Sequence, residues 1–503
     1  FDCDIDWGDG SPIQTFISSS ASFIPHVYAT AGTYEVKISG SFPRMYCERG
    51  GSRNQLIRVL DLGDVGWTSW YAAFSNAANL ISIYRTPGYP TVPVSSFYRF
   101  AMQCGKLVSI PPIKDICDRI TDLYYAHRRN YQLLELDYRD VNMTLGGSAL
   151  YVALNSASRL QRILTNNAWD VSTVNRIDQM ARGNGSLVEF DTSLWNISRA
   201  CIRFAAAFSS CWNLKVDYSN WDISNARNDS DLWTCFDQTL RDDDIWSDAL
   251  KYWATLNFTN NIRIKAAGGS KYRCDALWAR EQLDLRHNIS DGGPLTSCDG
   301  LILAVNVANE NKFILPAGNI GSYNATIDWG DGSTSSVTSY NDPNLEHTYA
   351  TAGEYVITIT GDFPKIEFAN SGYKDSLVAI VNWGPYGANN TDSSNSFEGC
   401  SNLMFVASDS TLPLCTNAEA MFKDCGITTN TATYPQTVDT IVYDSSGSVI
   451  RSASGSIPGN WARYDSDVRS ISFGPNATTI GSAAFRQHDC IEINIPSNVT
   501  TTT

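Results

Sequence analysis

The chain opens with alternating aspartates whose spacing could place oxygen ligands around a calcium ion. The stretch FDCDIDWGDG carries the acidic residues Asp2, Asp4, Asp6 and Asp9. A calcium loop of the EF-hand kind needs a glycine at the sixth position and a bidentate glutamate at the twelfth. Counted from Asp2, the sixth residue is Trp7 and the twelfth is not a glutamate. The pattern therefore favours a strand end and a tight turn, with a metal site as the alternative.

Few other side chains have the types and spacing that catalysis needs. Of the five histidines, His127, His287 and His488 have no partner at a ligand-like spacing. The sequence contains no nucleophile elbow, phosphate-binding loop, zinc-protease motif or dinucleotide fingerprint. No pair of carboxylates stands out for glycoside hydrolysis, although such a pair depends on distances in space. We therefore predict no catalytic residues, no metal and no cofactor, with a glycan-active enzyme as one alternative.

A long internal repeat shows which of these residues belong to a structural unit. DIDWGDGS and HVYATAGTYEVKISGSFPR recur as TIDWGDGS and HTYATAGEYVITITGDFPK, 322 and 321 residues later. Alternating apolar residues in TYEVKIS and EYVITIT predict half-buried strands, so each copy is interpreted as a small β-sandwich. The pattern D-W-G-D-G-S, followed by H-x-Y-x-x-x-G-x-Y-x-V/I-x-I, resembles the polycystic-kidney-disease (PKD) type of immunoglobulin-like domain. The resemblance covers roughly 1–45 and 300–368.

The second copy also separates residues that persist from residues that change. Asp6 and Asp9 persist, whereas Asp2 and Asp4 are replaced by asparagine and threonine. A metal site would need all of its ligands, so the comparison favours the structural interpretation. The remaining histidines, His26 and His347, occupy the same place in the two copies, just before a tyrosine. This placement predicts a packing or hydrogen-bonding role for both histidines.

The thirteen cysteines predict a set of disulfides. Cys3 aligns with Ala325 and Cys47 with Phe368, so both thiols are absent together from the second copy. We therefore predict a Cys3–Cys47 disulfide. Further bridges are predicted for the pairs Cys104–Cys117, Cys400–Cys415, Cys211–Cys235 and Cys274–Cys298. Because thirteen is odd, at least one thiol stays free or bonds to another chain.

The chain also carries ten N-x-S/T sequons, which predict N-linked glycans. They are Asn142, Asn184, Asn196, Asn228, Asn257, Asn288, Asn324, Asn389, Asn476 and Asn498. Asn476 and Asn498 also fit an Asn/Val/Thr pattern of the local repeat, so they have a second explanation. Sequons together with many cysteines favour an oxidising, secreted setting.

A finer repeat runs through the first half of the chain. Leucines recur every 26 or 27 residues at Leu80, Leu107, Leu133, Leu160, Leu187, Leu214 and Leu240. Trp169, Trp195 and Trp221 follow in phase in AWDVS, LWNIS and NWDIS. A period held this closely predicts a solenoid, in which each repeat is one turn and apolar side chains fill a continuous core. A tryptophan stripe at this spacing is interpreted as core, with stacking on sugars as the alternative; it comprises Trp67, Trp70, Trp169, Trp195, Trp221 and Trp233.

These units resemble BspA-type leucine-rich-repeat surface proteins. The resemblance rests on AFSSCWNLKVDYSNWDIS (207–224) and SFEGCSNL (396–403), which match a unit of the form F-x-x-C-x-x-L, a strand and W-D-x-S. The segment 468–500, with IGSAAF before its next strand, is similar to another repeat type of that family. Several units lack the cysteine, so no specific ligand is carried over. The resemblance implies a cell-surface role that includes adhesion.

Three local patterns predict the elements between these repeats. Good helix formers over 274–285, ended by SDGG, predict a helical cap on the first solenoid. The acidic stretch RDDDIWSD (241–248) is interpreted as a solvated loop. Apolar runs predict strands at 301–307 and 312–316, ahead of the second sandwich. The first copy has no counterpart of these strands.

The predicted fold is mainly β, with two PKD-like sandwiches alternating with two leucine-rich-repeat solenoids. The predicted domains are a sandwich without its leading strands (1–55), a capped solenoid (56–295), a second sandwich (296–375) and an uncapped solenoid (376–503). Missing strands at one end and a missing cap at the other leave strand edges that recruit other strands. We therefore expect the protein to bind copies of itself head to tail.

Composition limits the partners. The net charge of −15 at pH 7 disfavours nucleic acid and anionic membranes, and no apolar run has the roughly 20 residues of a membrane span. The sequence predicts a non-enzymatic, secreted or cell-surface structural glycoprotein that forms a filament. The alternative is an adhesin that binds a glycan or host protein through the solenoid face. An exposed aromatic cluster on that face would favour the alternative.

Overall fold

The computed structural model shows a mainly β chain, with 25% of residues in strands and 11% in helices. It divides into two compact units, 1–295 and 296–503. The structure describes the whole chain except 18–23, 49–50, 167–168, 229–231, 233, 237, 297, 309, 408–414, 416, 418–419, 427–439, 445–448, 454–467, 474–478, 481–491, 495–499 and 502–503. Side chains are described up to residue 426, apart from those of 268 and 387–388.

Unit one begins with a three-stranded antiparallel sheet. Its strands are β1 (Asp2–Asp6), β2 (Gln14–Ile17) and β3 (Lys37–Ser41), in the order β2-β1-β3. Side chains of β1 alternate, so Cys3 and Ile5 are buried while their neighbours face outward. Gly40 has a positive φ of 84°, and a Cβ there would lie 2.6 Å from the carbonyl oxygen of Asp2. The close β1–β3 pairing therefore needs glycine at this position.

The repeat stack follows, which we define as residues 42–290. Its short strands are β4 (Arg58–Val59), β5 (Ser82–Ile83), β6 (Arg119–Ile120), β7 (Glu135–Asp137), β8 (Asn142–Gly147), β9 (Arg162–Leu164), β10 (Asp170–Val174), β11 (Glu189–Phe190), β12 (Arg263–Lys265) and β13 (Asn288–Ser290). They pair in parallel, each with the strand one repeat away, in the sets β4-β5, β7-β9-β11, β6-β8-β10 and β12-β13. The inter-repeat bonds already begin with Phe42 N–H donating to the Val65 carbonyl at 2.8 Å.

The leucine repeat forms the core of this stack, with one exception. The six leucines from Leu80 to Leu214 are at most 1% exposed. Leu240, by contrast, is 46% exposed, and its neighbour Thr239 is buried at 4%. The prediction for Leu240 is therefore wrong by one residue, because the hydrogen-bond register shifts and Leu240 N–H bonds the carbonyl of Leu214 itself.

The tryptophans line the same core. Trp67, Trp70, Trp169, Trp195 and Trp221 are all at most 6% exposed. The rings of Trp169 and Trp195 stack at 5.6 Å, and those of Trp195 and Trp221 at 5.8 Å. The interpretation as core is confirmed for these five, and the sugar-stacking alternative is wrong for them. Trp233 lies outside the described residues.

Four α-helices are described. They are α1 (Ile113–Ile116), α2 (Asp243–Ala254), α3 (Leu277–Asp284) and α4 (Gly384–Asn389). The predicted helix over 274–285 is α3, preceded by a 3₁₀ turn at Cys274–Ala276. The predicted loop at 241–248 is wrong, because it begins α2. Asp242 caps the helix by accepting from Ile245 N–H at 2.8 Å, acidic residues fill the first turn, and Trp246 is fully buried.

Unit two is built mostly of strands. They are β14 (Leu301–Val307), β15 (Lys312–Ile314), β16 (Asn324–Asp328), β17 (Thr334–Val337), β18 (Glu346–Thr348), β19 (Gly353–Asp362), β20 (Leu377–Asn382), β21 (Phe405–Val406), β22 (Thr440–Asp444), β23 (Val449–Ala453), β24 (Val468–Phe473), β25 (Thr479–Ile480), β26 (Glu492–Asn494) and β27 (Thr500–Thr501). The predicted strands at 301–307 and 312–316 are confirmed as β14 and β15. The main sheet has the order β17-β16-β19-β14-β20-β21, and smaller sheets join β15-β18, β23-β22-β24-β26 and β25-β27.

The two sequence copies fold alike around their shared residues. β1 pairs with β2 and β3 as β16 pairs with β17 and β19. In the second copy, β14 pairs along β19 and Ile357 is fully buried. In the first copy, β3 ends its sheet, and Val36, the counterpart of Ile357, is 42% exposed. Val36, which directly precedes β3, is thus more exposed than its counterpart in the second copy.

Candidate functional site

The acidic opening forms turns. Asp6 accepts a hydrogen bond from Gly8 N–H at 2.9 Å, and Asp9 accepts one from Ser11 N–H at 3.0 Å. Asp4 accepts from the Thr15 hydroxyl across the β1–β2 pair. Within the described parts of the chain, no three histidine, cysteine, aspartate or glutamate side chains come together as metal ligands. The carboxylate oxygens therefore serve the turn that β1 runs into.

His26 and His347 hold equivalent places in two equivalent clusters. His347 stacks on Trp329 with ring centroids 4.9 Å apart, and its Nε2 lies 2.8 Å from Asp331 Oδ2. In the first copy, His26 stacks on Trp7 at 4.5 Å and contacts Asp9 at 2.9 Å. The predicted packing and hydrogen-bonding role is confirmed.

The second cluster also contains Ser333, yet it is not a catalytic triad. The Ser333 hydroxyl and the Asp331 carboxylate both lie against the same nitrogen of His347, Nε2. A triad needs them on opposite ring nitrogens. Burial raises the pKa of Asp331, but hydrogen bonds from Ser333 and His347 outweigh it and lower that pKa to about 2. Asp331 is therefore ionised at neutral pH and holds the turn.

The disulfide predictions are mostly wrong. Cys274 and Cys298, predicted as a pair, are both disulfide-bonded. The other predicted pairs, Cys3–Cys47, Cys104–Cys117, Cys400–Cys415 and Cys211–Cys235, are not formed, because none of these eight buried cysteines is in a disulfide. Several thiols have another partner: the Sγ of Cys104 donates to the Phe74 carbonyl at 3.0 Å. Cys490 lies outside the described residues.

A buried column of the repeat stack explains these cysteines. The residue three places before each core leucine is fully buried in six successive repeats: Ala77, Cys104, Asn130, Ala157, Asn184 and Cys211. Cys211 Sγ donates to the Ala181 carbonyl at 3.1 Å. Asn184 bonds the Leu154 carbonyl through Nδ2 at 2.9 Å and the Ala157 amide through Oδ1 at 2.8 Å. Cysteine and asparagine thus satisfy backbone groups of the preceding repeat, as buried polar groups must.

One of the predicted glycan acceptors, Asn184, belongs to this buried column. Asn184 is fully buried and both of its amide atoms are bonded, so the prediction of a glycan there is wrong for the folded chain. Seven other predicted acceptors are exposed: Asn142, Asn196, Asn228, Asn257, Asn288, Asn324 and Asn389. Asn476 and Asn498 lie outside the described residues. Exposure permits a glycan at the seven, and their glycosylation stays a prediction.

A row of stacked tyrosines on the repeat stack was not predicted from the sequence. We call it the tyrosine ladder; it comprises Tyr46, Tyr71, Tyr98, Tyr124 and Tyr151. Successive ring centroids lie 6.2, 5.0, 4.9 and 5.2 Å apart, and the first three pairs are within 13° of parallel. Tyr46 and Tyr71 are 37% and 39% exposed, and the other three are half-buried. The ladder is therefore an exposed aromatic cluster on one side of the stack.

The backbone of the stack fixes the position of each ring. Ala72 N–H donates to the Tyr98 carbonyl at 3.0 Å, and Arg99 N–H donates to the Tyr124 carbonyl at 2.9 Å. Ala72, Arg99 and Tyr125, which follow ladder tyrosines, have positive φ angles of 51°, 53° and 57°. Such angles are unfavourable for residues with a Cβ and persist only where surrounding structure imposes them. Here the repeated inter-turn bonds impose them, so the rings stay aligned.

Arginines cover the faces of these rings. The Arg44 guanidinium lies 5.1 Å from the Tyr46 ring centroid and 5.4 Å from that of Tyr71. Arg176 lies 3.5 Å from the Tyr151 ring, at the other end of the ladder. Arg99 and Arg128 both lie over Tyr125, which sits beside Tyr124, at 5.7 and 5.2 Å. We call the ladder, Tyr125 and these four arginines the tyrosine–arginine face.

The charge state of this face is fixed at neutral pH. Burial, then the contact with Tyr151, raises the pKa of Tyr125 to about 12. The bidentate partner Asp178 raises the pKa of Arg176. Arg99 is paired with Glu48, whereas Arg44 and Arg128 form no ion pair with any described residue. The face therefore presents a neutral phenol at Tyr125 and four guanidiniums, two of which have no ion-pair partner among the described residues.

A groove of unit two has two carboxylates in its lining. Its volume is about 770 Å³, and Glu354 and Asp375 are among its lining residues. The hydrogen bond from Ser401 holds the pKa of Asp375 below its ordinary value against the opposing effect of burial, and Lys374 adds to the lowering. A general acid for glycoside cleavage needs a raised pKa. Asp375 is therefore unsuited to that role, and the absence of enzymatic activity stays a prediction.

Comparison with known proteins adds no assignment. No protein-family model matches the chain, and no curated protein is significantly similar to it in sequence. Among the described residues, no helix is long and apolar enough to cross a membrane.

Proposed function

We propose that this chain is a non-enzymatic binding protein whose ligand occupies the tyrosine–arginine face. The observation that carries this proposal is the row of five aligned, partly exposed tyrosines with arginines over their faces. Tyrosine and arginine are the residues most enriched at the energetic centres of interfaces, because they combine apolar area with hydrogen bonding. A rigid ladder also binds without the entropic cost of ordering flexible side chains.

The finer architecture is part of the same proposal. The repeat stack, with buried leucines at a 26–27-residue period and parallel inter-repeat pairing, supports a BspA-like leucine-rich-repeat solenoid. The shared Asp–His–Trp clusters support two PKD-like sandwiches. With glycans on its exposed sequons, such a protein would act outside the cell or at its surface as an adhesin.

An array-binding experiment tests the proposal. The full chain is applied to an array of neutral polysaccharides, acidic polysaccharides and purified matrix proteins. The triple variant Tyr71→Ser, Tyr98→Ser, Tyr124→Ser should lose affinity on the order of tenfold or more, because it removes the centre of the interface. The matched control is Tyr84→Ser, Tyr131→Ser, which changes tyrosines that are 51% and 44% exposed outside the ladder.

The outcomes are distinct once circular dichroism shows that the variants are folded. Binding of at least one probe that the triple variant loses and the control keeps supports the proposal. Binding that both variants keep places the ligand elsewhere and contradicts it. Failure of the wild-type chain to bind any probe also contradicts it.

A head-to-tail filament is the second candidate function. It is favoured by β3, which ends its sheet, and by Val36, which is 42% exposed where its counterpart Ile357 is buried. An unpaired strand edge with an apolar side accepts a strand from another chain. Negative-stain microscopy of the native protein tests this: fibres support the filament, and single particles at all concentrations contradict it.

A further inference from the structure

Most ring faces of the ladder are covered. Tyr71 and Tyr98 each lie between two rings that are within 13° of parallel, and Tyr124 lies between Tyr98 and the tilted ring of Tyr151. Arg176 lies over Tyr151, whereas Arg44 lies beside both Tyr46 and Tyr71 and does not cover the outer face of Tyr46. A neutral sugar binds aromatic residues chiefly by laying its ring on an open aromatic face. That mode is blocked at the interior rings of the ladder.

What remains exposed is electropositive. An aromatic ring is negative on its faces and positive at its edge, and stacking hides the faces. The exposed side therefore presents ring edges, phenol hydroxyls and guanidiniums, which only donate. The Tyr46 hydroxyl already donates to Glu48 Oε2 at 3.1 Å. Arg44 and Arg128 have no ion-pair partner among the described residues, and the three nearby carboxylates, Glu48, Asp122 and Asp178, already accept hydrogen bonds.

This surface contrasts with the rest of the protein. Four guanidiniums face three carboxylates here, whereas the whole chain carries a net charge of −15. In a strongly acidic protein, a local excess of hydrogen-bond donors and positive ring edges is suited to an anion. Arginine is also suited to bidentate hydrogen bonds with carboxylate, sulfate or phosphate groups.

From these observations we infer that the tyrosine–arginine face binds an anionic polysaccharide, one that carries carboxylate or sulfate groups along an extended chain. The ladder repeats one identical phenol at spacings of 4.9–6.2 Å over five turns. A polymer of repeating units offers equivalent contacts along such a row, whereas the surface of a folded protein does not repeat. Sugar hydroxyls supply partners for the phenols, and the acidic groups supply partners for the arginines. The inference rests on the proposed function and specifies its ligand.

The experiment compares ligands that differ only in charge. Binding of the full chain is measured to heparin and to completely desulfated, re-acetylated heparin, and to polygalacturonate and its methyl ester. The variant Arg44→Gln, Arg128→Gln removes the two uncompensated charges and should weaken binding to the charged member of a pair on the order of tenfold. Arg58→Gln, Arg119→Gln is the matched control, because both arginines are exposed outside the face.

The expected result is binding to heparin or polygalacturonate at least tenfold stronger than to the uncharged counterpart, lost in the Arg44/Arg128 variant and kept in the control. Equal binding to charged and uncharged members overturns the inference and leaves the proposed function standing. Binding only to a matrix protein, with loss in the tyrosine triple variant, has the same consequence. If no probe binds at all, both proposals fail. Unchanged affinity of a folded Arg44/Arg128 variant overturns the inference alone.

Discussion

At the scale of single residues, polar side chains in this protein mostly serve the backbone. Asp6, Asp9 and Asp331 hold turns, and Asn184 and Cys211 satisfy groups of the preceding repeat. The sequence also offered chemical roles for four of them: metal ligands at Asp6 and Asp9, a glycan acceptor at Asn184 and a disulfide at Cys211. Burial and hydrogen-bond partners exclude the glycan at Asn184 and the disulfide at Cys211. Residue type alone predicts neither the burial of a side chain nor its hydrogen-bond partners.

Replacement of Asn184 by alanine is predicted to destabilise unit one. The change leaves the Ala157 amide and the Leu154 carbonyl without their partner in a buried site, which costs about 1–3 kcal/mol in free energy of unfolding. Asn142→Ala, at an exposed sequon, should change it by less than about 0.5 kcal/mol. Urea unfolding measures both. Peptide mapping that finds a glycan on Asn184 would contradict the buried column.

The Asp331–His347 pair predicts a pH dependence for unit two. The folded-state pKa of Asp331, about 2, lies below the ordinary 3.8, so its stabilising contribution is present above pH 3.8 and is lost as pH falls towards 2. The melting temperature of Asp331→Asn should therefore fall below that of the wild type at pH 6, and the difference should shrink steadily as pH falls from about 4 through 2. Asp362→Asn, at the exposed end of β19, is the control. A difference that is as large at pH 2 as at pH 6 would show that the charge is not responsible.

At the scale of elements, the repeat period could be predicted because large apolar residues recur at a constant spacing. Leu80 through Leu214 and Trp169 through Trp221 keep their phase, and burial of an apolar stripe follows from periodicity alone. Leu240 and α2 could not be placed by the same rule. The exposure of Leu240 depends on a shift of the hydrogen-bond register between turns. The start of α2 depends on Asp242, which caps the helix within an acidic run.

The tyrosine ladder was missed for a related reason. Its tyrosines recur at spacings of 25, 27, 26 and 27 residues, which matches the leucine period. The spacing can be seen in the sequence, but tyrosines in loops follow neither a strand nor a helix periodicity. The spacing therefore does not predict on which side of the stack the rings lie. Their alignment depends on positive φ angles at Ala72, Arg99 and Tyr125, residue types that rarely adopt them. Only the hydrogen bonds between turns reveal it.

The stacked tryptophans are predicted to stabilise the repeat stack strongly. Trp195→Ala removes a ring that is 1% exposed and stacks on both neighbours, so it should cost about 3–5 kcal/mol. Trp212→Ala, which changes a ring 53% exposed on the same stack, should cost less than about 1 kcal/mol. The urea midpoint of unit one reports both values. Equal effects would contradict the assignment of Trp195 to the core.

At the scale of the whole molecule, the thiols bear on where the protein works. Of the twelve described cysteines, ten are buried and not in a disulfide, whereas Cys274 and Cys298 are disulfide-bonded. Burial raises the pKa of Cys47 to about 11, which keeps that thiol protonated and slow to oxidise. The cysteines therefore give weaker support for an oxidising, secreted setting than their number suggested. That prediction now depends mainly on the exposed sequons.

A count of thiols is predicted to reflect this arrangement. The unreduced protein is alkylated in denaturant and then analysed by peptide mapping. The ten cysteines outside disulfides should be labelled, and Cys274 and Cys298 should stay unlabelled until reduction. A bridge found at Cys3 or Cys47 would contradict the description of unit one.

The measurement that tests the central claim most directly is a tyrosine footprint. Nitration by tetranitromethane is followed by mass spectrometry, with and without heparin, at Tyr71 and Tyr98 in the ladder and at Tyr84 and Tyr131 outside it. If the ligand occupies the tyrosine–arginine face, heparin should slow nitration of Tyr71 and Tyr98 severalfold and leave Tyr84 and Tyr131 unchanged. Heparin that binds yet leaves Tyr71 and Tyr98 as reactive as before would contradict the claim.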